Sequence, residues 1–364
     1  MNKNIKIFMI IPELRHGGTE KFILNLLNEL SNKYLIVLCC IGSSNSEFKK
    51  YYENKNIVII TLNSSIQNCF FKLLKLMKKH KPDVVFSNLW ALNIISALCK
   101  ILFFFKFKLI IREGNPYTKL INYKIPFFLI KFLVSLTYLI ADKIITASSK
   151  GLLIHINNFS LFNIKKKSLY INNGIEINNQ IYKNKNFSSG IIKILCITQF
   201  RDQKDIETIF KAIWLLSKDF KCFFTLVGDG KNKNRLLKYA SNLGIEKFIK
   251  FEGNQNDLSH YYKEHEYFVF SSFFEGGPNV ILEALNHDIK IVASDCNYGP
   301  KEYLNNGEYG YLFKIGDYRN IKDIIVTNLN KKIDLEKRRR WISQFDRKIT
   351  VQKYISLIDS ITIH

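Results

Sequence analysis

Glu275 and Glu283 stand eight residues apart around the turn Gly276-Gly277-Pro278-Asn279-Val280, directly after an apolar, strand-like run at 267–270. Carboxylates accept hydrogen bonds from hydroxyl groups. Glycines let the backbone approach a bulky anion without a Cβ in the way. Proline suits the first helical position, where its missing N–H would have no partner, so the turn predicts a helix that begins near Pro278. The first-turn N–H groups of such a helix are unpaired and its aligned peptide dipoles make that end electropositive, a ready seat for an anion. Glu275 would precede the helix and Glu283 would fall in its second turn, so the two carboxylates can serve two ends of one ligand. A phosphate flanked by two hydroxyl-bearing groups matches: sugar on one side, diphosphate in the middle, ribose on the other. Taken alone, the same pattern also describes a helix cap with two solvated glutamates.

The elements that must hold this turn come from the rest of the chain. At 364 residues it exceeds one ordinary core and predicts two domains of about 150–180 residues each. Seven cysteines, an odd number with no C-x-x-C spacing, argue against a disulfide framework or zinc site and for a reducing compartment. The short apolar run ending at Ile11 is too brief for a signal peptide, so a cytoplasmic location is expected. A net charge of +23 attracts polyanions. No zinc-finger spacing, RNA-binding aromatic signature or glycine-rich basic tail accompanies it, which leaves nucleic acid with composition alone in its favour. Between 98 and 139 the lysines are mixed with Phe, Ile and Leu, a mixture that suits an anionic membrane surface.

Apolar strands alternate with helical stretches along the chain, which implies parallel sheets with helices on both faces and ligands at the carboxyl ends of strands. A strand at 5–11, the Gly17-Gly18 turn and a helix at 19–30 repeat the strand, glycine turn and helix order; a plain tight turn fits as well, and the spacing is not that of a dinucleotide fingerprint. Arg112 and Asn115 follow a strand at 109–112 and are candidates for substrate contact or for loop structure. The seventeen residues 125–141, apolar but for Lys131 and small hydroxyls, read as a buried helix, a helix resting on a membrane or, at the lower limit of length, a span. Polar 178–190 reads as a linker, after which a strand at 191–198 leads to Arg201 and Lys204. The run 337–340 reads as a solvated basic face, and a last helix is expected over about 347–361.

Segment 273–285 resembles the E-x7-E element of retaining glycosyltransferases of the two-domain type, in particular family 4. Gly17-Gly18 resembles that family's Gly-Gly-x-Glu loop against donor phosphate and acceptor, and Lys204 matches its diphosphate-binding lysine. The family's arginine falls on Gln199, and Arg201 two residues later is the candidate substitute; the family's loop histidine has no counterpart near Arg112. The resemblance implies an α/β fold of two Rossmann-like domains facing across a cleft, the GT-B arrangement. It implies an acceptor domain at 1–182, a nucleotide-sugar domain at 190–345 and a C-terminal helix at 346–364 that crosses back onto the first domain. It further implies a retaining transferase taking a nucleotide-sugar donor, UDP- or GDP-linked in the family and expected here to be UDP-linked, and a lipid-linked or envelope glycan acceptor. With no Asp-x-Asp element after a strand and cationic side chains to take its place, neither a metal nor another cofactor is expected. Glu275, Lys204 and Arg201 would be catalytic; Gly17, Gly18, Lys204, Gly276, Gly277, Pro278, Asn279, Val280 and Glu283 would bind donor; Arg112 and Asn115 would line an acceptor or sugar loop. Such an enzyme would work in the cytoplasm, on the inner face of the membrane, with no nucleic-acid partner. A non-catalytic nucleotide-sugar or glycan-binding protein on the same scaffold is the alternative.

Overall fold

The computed structural model describes residues 5–14, 18–43, 56–102, 106–117, 126–147, 149–177 and 190–362, at 18–21 by backbone alone. The chain forms two compact units, Met1–Gly174 with Arg347–His364, and Ile175–Asp346. Most of the expected linker lies outside the described residues.

The first unit is a sheet of β1 (Lys6–Ile11), β2 (Leu35–Cys40), β3 (Ile57–Thr61), β4 (Val84–Asn88), β5 (Lys108–Glu113), β6 (Lys143–Thr146) and β7 (Ser168–Tyr170). All neighbours are parallel, in the order β3-β2-β1-β4-β5-β6-β7. Its helices are α1 (Gly18–Leu30), α2 (Phe70–His80), α3 (Trp90–Leu102), α4 (Phe127–Ile140) and α5 (Lys150–Phe159). Successive strand residues point to opposite faces. In β1, Phe8 and Ile10 pack with α2 to α5, whereas Ile7, Met9 and Ile11 pack with α1 and with the C-terminal residues Val351, Tyr354, Leu357, Ile358 and Ile361.

The second unit holds β8 (Ile192–Ile197), β9 (Cys222–Val227), β10 (Ile249–Gly253), β11 (Tyr267–Phe270), β12 (Lys290–Ser294) and β13 (Tyr311–Phe313), parallel in the order β10-β9-β8-β11-β12-β13. Its helices are α6 (Ile206–Asp219), α7 (Lys233–Asn242), α8 (Ser259–Glu264), α9 (Asn279–Leu285), α10 (Pro300–Tyr303), α11 (Tyr318–Thr327) and α12 (Leu335–Ile342). The last helix, α13 (Arg347–Thr362), returns to the first unit, where Tyr354 sits against the rings of Phe22 and Phe86 at centroid distances of 6.0 and 5.8 Å. Both sheets therefore reverse direction once, between β1 and β4 and between β8 and β11, and such a switch opens a crevice at the strands' carboxyl ends.

Three expectations change. The helix expected over 125–141 is the fourteen-residue α4, and no described helix is long and apolar enough to cross a membrane. Helices α3 and α5 were not expected; the first carries apolar residues most of the way round, which hides its period. The run 337–340 is not a fully solvated face, because Arg338 is 1% exposed. Helical spacing turns one residue of such a run inward. Arg338 Nη1 donates to the Ile289 carbonyl at 2.9 Å, and Nη2 to the Ala284 carbonyl at 3.2 Å in the last turn of α9.

Candidate functional site

The switch point of the second sheet is bordered by the loops after β8 and β11. The β8 loop is braced from one side by the turn after β9. A Cβ on Gly228, whose φ is +134°, would lie 1.8 Å from the Thr198 carbonyl oxygen, so only glycine fits there. Phe200 is fully buried and its N–H donates to the Asp229 carbonyl at 2.9 Å. From this anchor the chain turns through Arg201, which is exposed and whose N–H bonds to the Gln199 carbonyl at 2.9 Å, into Gln203, Lys204 and Asp205 at the start of α6.

Those three residues are fastened in register to the β11 loop. Phe273 N–H donates to the Gln203 carbonyl at 3.0 Å and Gln203 Nε2 donates to the Phe274 carbonyl at 2.7 Å. Lys204 Nζ donates to Glu275 Oε1, and Ser272 Oγ donates to the same oxygen at 2.7 Å. Asp205 is buried and accepts from Ser271 Oγ at 3.1 Å and from Thr208 Oγ1 at 2.8 Å. Ser272 is itself tied to the next strand, its N–H donating to Ser294 Oγ at 3.0 Å while Ser294 Oγ donates to its carbonyl at 3.1 Å. Glu275 is 6% exposed, and its N–H reaches the Asn297 carbonyl at 3.3 Å. The Lys204 ammonium lies 5.1 Å from the centre of the Phe270 ring. The result is a lysine and a carboxylate held by neighbours on two strands rather than left to rotate.

Gly276 and Gly277 follow, and a second glycine turn presses on them: a Cβ on Gly299, with φ +108°, would meet the Gly277 Cα at 2.9 Å and Pro278 Cδ at 2.6 Å. Pro278 caps the helix rather than opening it, with φ −76° and ψ 101°, and α9 begins at Asn279. Its extended ψ is the correction to the expected start: the turn continues one residue further, against Gly299. Asn279 and Val280 form the first turn of α9, both partly exposed, and Glu283 lies in the second. Glu283 is half-buried, and Tyr262 OH lies 3.5 Å from its Oε2. Burial first, and the Glu283 charge second, hold the Tyr262 hydroxyl well above its usual range, so it stays a donor.

In the first unit the expected residues are placed differently. Gly17 lies outside the described residues, and Gly18 opens α1. Arg112, at the end of β5, is 4% exposed; its Nη2 donates to Asn173 Oδ1 and its guanidinium lies 5.0 Å from the centre of the Phe22 ring. Beside it Glu113 accepts from Asn93 Nδ2 at 2.7 Å, and burial pushes its carboxyl up to about 7 against the pull of Tyr117, Asn93 and Arg112. Asn115 is exposed. The structure thus brings Lys204 and Glu275 together, and it adds Gln203, Asp205, Ser271 and Ser272 to the set. The signal for the serines was a pair of small hydroxyl residues ending an apolar strand; their distant partners, Asp205 after β8 and Ser294 on β12, are visible only once β11 is paired with both strands.

Residues 178–347 match the family described as glycosyl transferases group 1. The chain is 26% identical to the N-acetylgalactosamine-N,N'-diacetylbacillosaminyl-diphospho-undecaprenol 4-alpha-N-acetylgalactosaminyltransferase of Campylobacter jejuni, over 94% of this chain and 96% of that one. It is 26% identical to the capsular polysaccharide biosynthesis glycosyltransferase CapH of Staphylococcus aureus, over 98% of this chain and 94% of that one. Among solved structures, HepE from Anabaena in complex with UDP-glucose shares the fold with a TM-score of 0.81 at 18% identity, over 98% of this chain and all of that one.

Proposed function

We propose that this chain, whose residues 178–347 match the group 1 glycosyl transferases, moves a sugar with retained anomeric configuration from a UDP-linked donor to a lipid-linked glycan of the cell envelope. The observation that carries the reading is the pairing of Lys204 with Glu275 at the switch point of the second sheet, where an open parallel sheet receives its ligand. Departure of the nucleoside diphosphate puts negative charge on phosphate oxygens and positive charge on the sugar ring, so the largest help a protein can give is fixed charge of both signs. Lys204 faces the first and Glu275 the second. When a diphosphate arrives, it competes with Glu275 for the lysine, and Ser272 keeps the carboxylate in place as the lysine shares its hydrogen bonds.

Arg201, exposed in the same turn, supplies a second cation in place of the residue that Gln199 lacks. These two cations are the charge on which the reading relies in place of a metal. Glu283 accepts hydrogen bonds from the ribose hydroxyls, oriented by Tyr262. Gly276, Gly277 and Pro278 give the phosphates their close approach. UDP is favoured because HepE, which shares the fold, binds UDP-glucose. A lipid-linked acceptor is favoured because the Campylobacter relative is named for a diphospho-undecaprenol glycan. Such an acceptor places the enzyme at the inner face of the membrane.

Thermal shift against a panel of nucleotides and nucleotide sugars tests the donor, and UDP release with lipid-linked acceptors tests the transfer. UDP and one UDP-sugar should raise the melting temperature, and UDP release should depend on acceptor. A protein that no nucleotide stabilises contradicts the reading; one that binds a UDP-sugar and releases nothing is the non-catalytic binder.

A further inference from the structure

In the first unit α2, α3 and α4 lie side by side on one face of the sheet, packed through Leu73, Leu74 and Met77, through Leu92, Ala97 and Cys99, and through Ile130, Val134 and Tyr138. A helix on the surface of a globular protein turns polar residues outward. On α4 the outward positions are Phe128, 74% exposed, Phe132, 48%, and Leu139, 49%, spaced i, i+4 and i+11 along one stripe, with Leu129 beside them. The neighbouring α3 turns out Leu98, Ile101 and Leu102 at i, i+3 and i+4. The outward stripe of α2 is Lys72, Lys75 and Lys79 at i, i+3 and i+7, with Lys78 and an exposed Phe71. None of the three helices carries an aspartate or a glutamate. Between residues 61 and 170 there are seventeen lysines and arginines against three acids, and of those acids Glu113 is buried and Asp142 is held by Lys100.

We propose that the outer surface of α2, α3 and α4 is a docking face for a bilayer of anionic lipids; it deepens the membrane placement above and rests on it. The apolar ridge enters the boundary between headgroups and acyl chains while the α2 lysines meet lipid phosphates. The fourteen residues of α4 make roughly 21 Å, short of the ~30 Å hydrocarbon layer, so the helix lies in the plane of the interface. Exposed patches of this kind mark partners, and the charge selects among them. A second copy would bring lysines against lysines around the apolar contact, whereas an anionic surface neutralises them.

The test is sedimentation of the full chain with vesicles of phosphatidylcholine alone and vesicles in which about a third of the lipid is phosphatidylglycerol. Wild type should bind the anionic vesicles, less so as salt rises from about 0.05 to 0.5 M, and bind the neutral ones weakly. Lys72→Glu with Lys75→Glu and Lys79→Glu should lower partition at least about tenfold. Phe128→Ser with Phe132→Ser should lower it at every salt concentration. Absence of wild-type binding, equal binding to both vesicle types, or wild-type binding by both variants overturns the proposal. So does a dimer in lipid-free solution that the Phe128→Ser, Phe132→Ser protein fails to form, since the occupant is then a second copy. Stabilisation by UDP, measured on the same proteins without lipid, should be unchanged. If UDP stabilises the protein and vesicles do not capture it, the docking face fails and the transferase reading stands; the reverse result fails the transferase reading alone.

Discussion

Each unit carries charged side chains at the carboxyl edge of its sheet, and the two sets are built differently. In the second unit Lys204 is partly exposed and holds Glu275, itself 6% exposed, beside a turn of glycines at the switch between β8 and β11. In the first, Arg112 and Glu113 sit at the end of β5, 4% and 3% exposed, against Asn173, the Phe22 ring, Asn93 and Tyr117. The first arrangement leaves a partly exposed cation paired to its anion. The second spends its charges on holding the end of β5 to α1, α3 and the segment after β7. Strand-end charge alone does not make a site; position at the switch point and a path to solvent do.

If that contrast holds, Glu275→Gln should lower transfer by about a thousandfold with the melting temperature nearly unchanged, because a neutral amide keeps the shape and loses the charge facing the sugar. Steady-state UDP release and a thermal melt read the two effects, and near-normal turnover would erase the distinction between the units. Arg112→Ala should do the opposite. Loss of the Asn173 bond and of the packing on Phe22 should cost about 3 kcal/mol in denaturant unfolding. The folded fraction should still be stabilised by UDP.

What the sequence made legible follows the same line. The Glu275 to Glu283 spacing and Lys204 could be found because a glycine turn after an apolar strand is a local pattern. The fastening of Gln203 and Asp205 to Phe273, Phe274 and Ser271 could not, since it exists only between strands that the topology makes neighbours. The inward turn of Arg112 was hidden for a like reason: its partner Asn173 lies beyond β7. Arg338 was lost inside a basic run, where composition speaks for solvent and helical spacing for the interior.

Glu113 sharpens the contrast through pH. Burial raises its carboxyl from an ordinary 4.5 to about 7 in the folded chain, so the folded state binds the proton more tightly. The stability this contributes is complete below about 4.5 and is lost as pH rises through about 7. Glu113→Gln should therefore stabilise the protein at pH 8 by of order 2 kcal/mol and change little at pH 4.5, read as melts across that range. A pH-independent effect would show that the carboxyl is not held protonated. The smallest expected effect is Glu283→Ala, which should weaken UDP affinity about tenfold in titration calorimetry while altering turnover at saturating donor far less. Unchanged affinity would remove its ribose role.

The measurement that bears most directly on the central claim is a crystal structure of the chain with UDP bound. The account predicts pyrophosphate oxygens within hydrogen-bonding reach of Lys204 Nζ and ribose hydroxyls on Glu283, beside the Gly276-Gly277 turn. A nucleotide seated elsewhere, with Lys204 still on Glu275 and Glu283 out of its reach, would contradict it.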